Sequence, residues 1–91
     1  MDWDLISFIT SSKVRFKILL ELKKSNRTPT DLSKITDMHI SAISRTLNEL
    51  KKKNLTVCLT DKRLKNKYYQ ISEKGKELLE DISKEISVKK K

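Results

Sequence analysis

Ninety-one residues suit one small domain, and a hydrophobic content of 36% supports only a thin core. The chain carries 21 Lys+Arg against 12 Asp+Glu, a net charge of +9 and a pI near 9.8, which points to a polyanionic partner. One cysteine and one histidine exclude an intrachain disulfide and a Cys/His metal site built from one chain.

The charge is uneven. Residues 1–50 have a net charge of +2, and residues 51–91 a net charge of +7. Residues 51–67 alone hold seven basic side chains and one acid, Asp61. DNA, RNA or an anionic surface fits such an excess, and a lysine-rich solubilising surface is the competing reading. A thin core in a small domain makes a dimer a sensible expectation.

Asp2–Thr10 reads as a short helix with acids at its start and Trp3, Ile6, Phe8 and Ile9 as its apolar members. A helix of this length is unstable alone and must pack on something, its own chain or a partner. The stretch lacks the basic lead of a signal peptide. No apolar run approaches the roughly 20 residues of a membrane span. The expected setting is therefore the cytoplasm, with no membrane contact.

Ser11 or Ser12 caps a second helix over about 12–24, with Val14, Ile18, Leu19 and Leu22 on its buried face. Ser25–Arg27 is a polar break. Thr28-Pro29 is a strong start signal, because threonine caps and proline needs no amide donor at the first helical position. The short helix that follows, about 29–36, has Leu32 and Ile35 as its apolar pair. Asp37–His39 turns the chain without glycine, and Asp37 tolerates the left-handed conformation better than most residues.

His39 or Ser41 opens the longest amphipathic stretch, about 40–53. Ile40, Ile43, Leu47 and Leu50 step by three, four and three residues and form one apolar stripe. Ser41, Arg45, Asn48 and Lys52 step by four, three and four on the other side, with Ser44 beside them. A hydroxyl, a guanidinium, an amide and an ammonium can all hydrogen-bond base edges and phosphates. Glu49 is the only acid in the stretch. A short and a longer helix joined by a tight turn make a helix-turn-helix pattern.

Beyond Asn54, a plausible helix stop, Leu55, Val57 and Leu59 alternate with Thr56, Cys58 and Thr60. A second β-like run covers about 67–71, with one of Tyr68 and Tyr69 facing inward. The basic segment Asp61–Lys67 joins the two runs into a hairpin. Cys58 reads as a buried or half-buried free thiol, with an intersubunit bridge as the lesser alternative. Ser72 caps a final helix over about 73–88, whose apolar stripe runs Leu78 or Leu79, Ile82, Ile86, and residues 89–91 form a frayed tail. The expected fold class is α+β, mainly α: a single winged-helix domain over 1–91.

The series Thr30-Asp31-Leu32 with Ile35, Ile43-Ser44-Arg45-Thr46-Leu47 with Leu50, Lys53-Asn54-Leu55, and Tyr69-Gln70-Ile71-Ser72-Glu73-Lys74-Gly75 resembles the MarR/ArsR-type winged-helix transcription regulators. The resemblance is closest to the small archaeal members and those of archaeal viruses, and it runs from about Ser11 to Leu79. It implies double-stranded DNA binding by a symmetric dimer, with helix 40–53 in the major groove and the hairpin on adjacent backbone or minor groove. It also implies dimerisation through the terminal helices, 1–10 and 73–88, with Trp3, Ile6, Leu79, Ile82 and Ile86 at the interface.

On this reading His39, Ser41, Ser44, Arg45, Asn48 and Lys52 are the DNA-contacting residues of the recognition helix. Lys62, Arg63, Lys65 and Lys67 contact DNA from the wing. Thr28, Thr30 and Lys34 are weaker phosphate candidates. Arg45 is the foremost base reader, since its fork matches guanine O6/N7. Ile40 is open between core and a thymine methyl. Selectivity is assigned to the helix and most of the affinity to the wing. The alternative is a winged-helix protein-interaction module, and RNA binding is a third possibility, weakened by an aromatic content of 5%. No enzyme, cofactor or metal is expected, because there is no triad, metal cluster or phosphate-binding glycine loop.

Overall fold

A computed structural model describes residues 3–60 and 67–89, and the side chains of all of these except residue 60 and residues 85–89. The element order is α1 (Trp3–Thr10), α2 (Lys13–Lys24), α3 (Pro29–Thr36), α4 (Ile40–Lys52), β1 (Thr56–Thr60), β2 (Lys67–Ile71) and α5 (Glu73–Lys89). This is a winged helix-turn-helix, with element bounds close to those read from the sequence.

Local chemistry sets the boundaries. Ser12 caps α2 by accepting from the Arg15 amide. Thr28 and Asp31 form a reciprocal capping box at the start of α3. The Asp31 amide donates to Thr28 Oγ1 at 3.1 Å, and the Thr28 amide donates to Asp31 Oδ2 at 3.2 Å. Asp37 ends α3 in the left-handed region at φ 56°, so an aspartate makes the turn that glycine commonly makes. His39 caps α4, its Nδ1 accepting from the Ser41 amide. Asn54 leaves α4 at φ 61°, and the Leu55 amide returns to the Leu50 carbonyl at 3.0 Å.

The core forms where these helices meet. Ile6 and Ile9 come from α1, Ile18, Leu19 and Leu22 from α2, and Leu32 from α3. Ile43, Leu47 and Leu50 enter from α4, Leu55 and Ile71 from the base of the hairpin, and Leu78, Leu79 and Ile82 from α5. Among the described residues no helix is long and apolar enough to cross a membrane.

Three expectations of phase are corrected. Ile40 is 44% exposed, because the first turn of α4 lies beyond the edge of the core. The fourth buried position of that helix is Thr46, whose hydroxyl donates to the Ala42 carbonyl at 2.9 Å and so enters the core satisfied. Ile35 on α3 is likewise exposed, leaving Leu32 as that helix's core residue. In β1 the apolar members face outward: Val57 is 46% and Leu59 40% exposed, whereas Thr56 is buried.

The hairpin is antiparallel, running from Thr56 opposite Ile71 to Thr60 opposite Lys67. Its inner face carries Tyr69, opposite Cys58 and packed against the core, and Tyr68 faces out. Burial, and then the neighbouring Cys58, push the Tyr69 phenol above the usual tyrosine range. Arg27, in the break before α3, exchanges two backbone hydrogen bonds with Tyr69, at 3.1 and 2.8 Å. The polar break is thus a one-residue third strand that fastens the wing to the helices.

The junction between wing and α5 is polar and tight. Ser72 Oγ donates to the Asn54 carbonyl at 2.7 Å and accepts from the Gly75 amide at 3.1 Å. A Cβ at Gly75 would stand 2.7 Å from both Ile71 Cγ1 and the Leu55 carbonyl oxygen. The glycine is therefore required by close approach, not by its backbone angles.

These packing and capping geometries carry two stability predictions. Gly75→Ala gains up to about 1 kcal/mol of helix propensity but overpacks against backbone at about 1–3 kcal/mol. The expected net is a loss in urea or thermal unfolding, and a rise in stability would refute the close approach. Thr28→Ala removes the cap of α3 and is expected to cost about 1 kcal/mol in the same measurement.

Candidate nucleic-acid interface

Burying one side of α4 completely leaves the opposite side to solvent. Ser41, Ser44, Arg45, Asn48 and Lys52 are all exposed there, as the spacing predicts. His39 is exposed at the helix start, with Nδ1 2.9 Å from Ser41 Oγ. Amide groups at a helix start carry partial positive charge, and Lys51 and Lys52 occupy the opposite end. Asn48, Lys51 and Lys52 line an open depression of about 380 Å³. An asparagine and two lysines at this exposed depression bring cationic side chains within reach of an anion such as a phosphate. Lys51, which the sequence leaves open between backbone contact and covering the helix end, stands beside Lys52 at this depression.

On α3, Thr30 and Lys34 are exposed and one turn apart, so they share a face. Thr28 departs from them. Its side chain is buried and its hydroxyl oxygen holds the Asp31 amide, which removes it from the exposed set. Lys67 opens β2 and is exposed, whereas Lys62, Arg63 and Lys65 lie outside the described residues.

The residues assigned to a dimer seam divide. Trp3 is 61% exposed, but Ile6, Leu79 and Ile82 are buried in the core of the single chain. The side chain of Ile86 lies outside the described residues.

Two residues that no local motif marks join α2 to α4. Arg15 of α2 donates through Nη2 to Glu49 Oε2 of α4 at 3.1 Å, across 34 residues of sequence. The unusual presence of one acid in α4 is the sole sequence signal for this contact.

The fold recurs among solved regulators. A protein described as a transcriptional regulator of the MarR family from Enterococcus faecalis V583 superposes with a TM-score of 0.86 at 17% identity, covering 96% of this chain and 81% of that one. A single-residue mutant of MepR from S. aureus, bound to an oligodeoxyribonucleotide, gives 0.81 at 18% identity, covering 87% and 60%. The transcriptional regulator BldR from Sulfolobus solfataricus gives 0.72 at 24% identity, covering 77% and 51%. This chain spans less than two thirds of the length of the last two, and of the adhesin competence repressor AdcR from Streptococcus pyogenes. At these identities the likeness establishes the fold. No curated protein matches the chain in sequence. Residues 3–88 match the family described as "Methanogenesis regulatory protein FilR1, N-terminal domain", so the chain belongs to that family and carries the winged-helix fold of MarR-type regulators.

Proposed function

We propose that the chain is a sequence-specific, double-stranded DNA-binding transcription regulator that acts as a homodimer. The observation that carries this reading is the division of α4. One side is buried, and the other exposes Ser41, Ser44, Arg45, Asn48 and Lys52 together, with Glu49 already paired to Arg15. MepR, which has the same fold, was solved bound to an oligodeoxyribonucleotide, and that precedent supports the reading.

In this reading α4 enters the major groove. Arg45 reads guanine through its fork, and Asn48 pairs with adenine or reaches phosphate. Ser41 and Ser44 take a base edge or a phosphate, and the exposed Ile40 meets a thymine methyl. Lys51 and Lys52 neutralise phosphate at the depression they line, with His39, Thr30 and Lys34 on neighbouring backbone. Lys62, Arg63, Lys65 and Lys67 of the wing supply most of the affinity. A dimer seam draws on Trp3 and the outward sides of the terminal helices, since Ile6, Leu79 and Ile82 are engaged within the chain.

A second reading rests on the outer side of the hairpin. Val57, Leu59 and Tyr68 are exposed apolar side chains, a surface that suits contact with another protein. On this reading the chain works through protein contact without duplex DNA, and titration with duplex DNA separates the two readings.

Selection from a randomised duplex pool, followed by titration at several salt concentrations, tests the leading proposal. Tight binding with a steep salt dependence supports it, and no binding at low salt refutes it. Arg45→Ala is expected to cost about 1–3 kcal/mol on the selected duplex and to relax preference at one base pair. Lys51→Ala and Lys52→Ala are instead expected to weaken all duplexes alike. Removing one phosphate-neutralising lysine should flatten the log–log salt slope by about 0.9.

A further inference from the structure

An acid on a helix that faces a polyanion repels it, and Glu49 is the only acid between Ile40 and Lys53. Its carboxylate is turned to α2, where Arg15 Nη2 lies 3.1 Å away. The other terminal nitrogen of Arg15, Nη1, donates to the Phe8 carbonyl of α1 at 3.0 Å and reaches Ser11 Oγ at 3.4 Å. The guanidinium carbon lies 4.0 Å from the centroid of the Phe8 ring. The Arg15 side chain is 21% exposed, and its Nε is buried without a hydrogen-bond partner among the described residues. The side chain is therefore held between three segments and does not swing in solvent. Lys53, the C-cap of α4, places its ammonium 5.6 Å from the same Phe8 ring. The C-terminal half of α4 is thus tied to α1 and α2 by two cations that share one aromatic ring.

We propose that the Arg15–Glu49 pair, anchored on Phe8, is a clamp that fixes the rotation of α4 about its own axis, making Arg15 and Glu49 positioning residues for DNA selectivity. This rests on the duplex-DNA reading above. Glu49 follows Arg45 by one turn and is the neighbour of Asn48, so a restraint on Glu49 acts on both candidate base readers. The magnitudes favour such a role. A rotation of about 10° moves a group roughly 6 Å from the helix axis by about 1 Å, which is more than a base-edge hydrogen bond tolerates. The apolar stripe sets which side of α4 faces the core, but its contacts are non-directional and fix the rotation only coarsely. The fork of Arg15 supplies a directional contact instead.

The test compares wild type, Glu49→Gln, Arg15→Gln and the double variant. The probes are the duplex recovered by selection with the wild type and a scrambled duplex of the same length. Simple electrostatics predicts that Glu49→Gln, by removing a negative charge, tightens both complexes alike. The clamp predicts the opposite for selectivity: the ratio of selected to scrambled affinity falls about threefold or more. Arg15→Gln is expected to lower the ratio similarly, and the double variant to fall no further than the singles, as partners in one contact do.

Unfolding of a variant scales both affinities together and leaves the ratio unmoved, so a melting curve on each variant separates instability from misplacement. Should Glu49→Gln not fold, Glu49→Asp keeps the charge, shortens the reach and is expected to lower the ratio too. An unchanged or raised ratio in the folded Glu49 variant, with tight binding by the wild type, overturns the clamp alone. A salt slope flattened by about 0.9 in Arg15→Gln would make Arg15 a phosphate contact and also overturns it. A wild type that binds no duplex overturns both the clamp and the DNA reading.

Discussion

Ile43, Leu47 and Leu50 on one side of α4 are closed to solvent, and the rest of the molecule depends on that burial. Each such side chain is worth roughly 1.5–3 kcal/mol relative to exposure, a large share of the marginal stability of so small a domain. A helix with 3.6 residues per turn cannot bury this stripe without fixing which residues stand opposite. The exposed row of Ser41, Ser44, Arg45, Asn48 and Lys52 is therefore a consequence of core packing. A polar substitution on the inner side would disturb the outer row through the helix orientation, even though it touches no ligand.

Periodicity makes the elements legible because their ends carry chemistry of their own. Thr28-Pro29, Asp37, Asn54 and Ser72 each mark a boundary through a cap or a left-handed residue, and each serves that role in the structure. The phase at element edges is less legible. Ile40 and Ile35 fit their apolar stripes by spacing, but both lie where the core has already ended. The parity of β1 escapes a simple alternation for a related reason. Leu55 belongs to the turn after Asn54 and is buried from there, and the strand begins afresh at Thr56, also buried. Two consecutive inward residues reset the alternation, so Val57 and Leu59 point outward.

Contacts between distant segments are the least legible part. Arg27 reads as loop, yet it extends the sheet through Tyr69, a pairing that no local pattern encodes. An apolar stripe on a terminal helix says only that the helix is covered. Whether its own chain or a partner covers it depends on packing, and Ile6, Leu79 and Ile82 are covered by their own chain. Thr28 shows the same ambiguity for a polar group, because capping and phosphate binding draw on one hydroxyl, and here the cap holds it.

The base of the wing holds a constant relation to the exit of α4 through the chemistry of their junction. Ser72 joins the Asn54 carbonyl to the first turn of α5, while its amide donates to the Leu55 carbonyl at 3.0 Å. Gly75 lets Ile71 and Leu55 close on that turn. From the other side, Arg27 holds the Tyr69 backbone. The base of the hairpin is thus tied to the exit of α4, to the break before α3 and to α5. Each tie is a backbone or cap hydrogen bond, and where such a group is buried, breaking the bond without replacement costs more than the bond contributes. Shifting the base of the wing as a rigid unit would have to break several of these bonds at once. The core stripe sets which side of α4 faces out, and these ties set the base of the wing against its exit. The exposed row of α4 and the base of the wing are therefore placed by packing and caps before any partner arrives, which lowers the ordering cost of binding one.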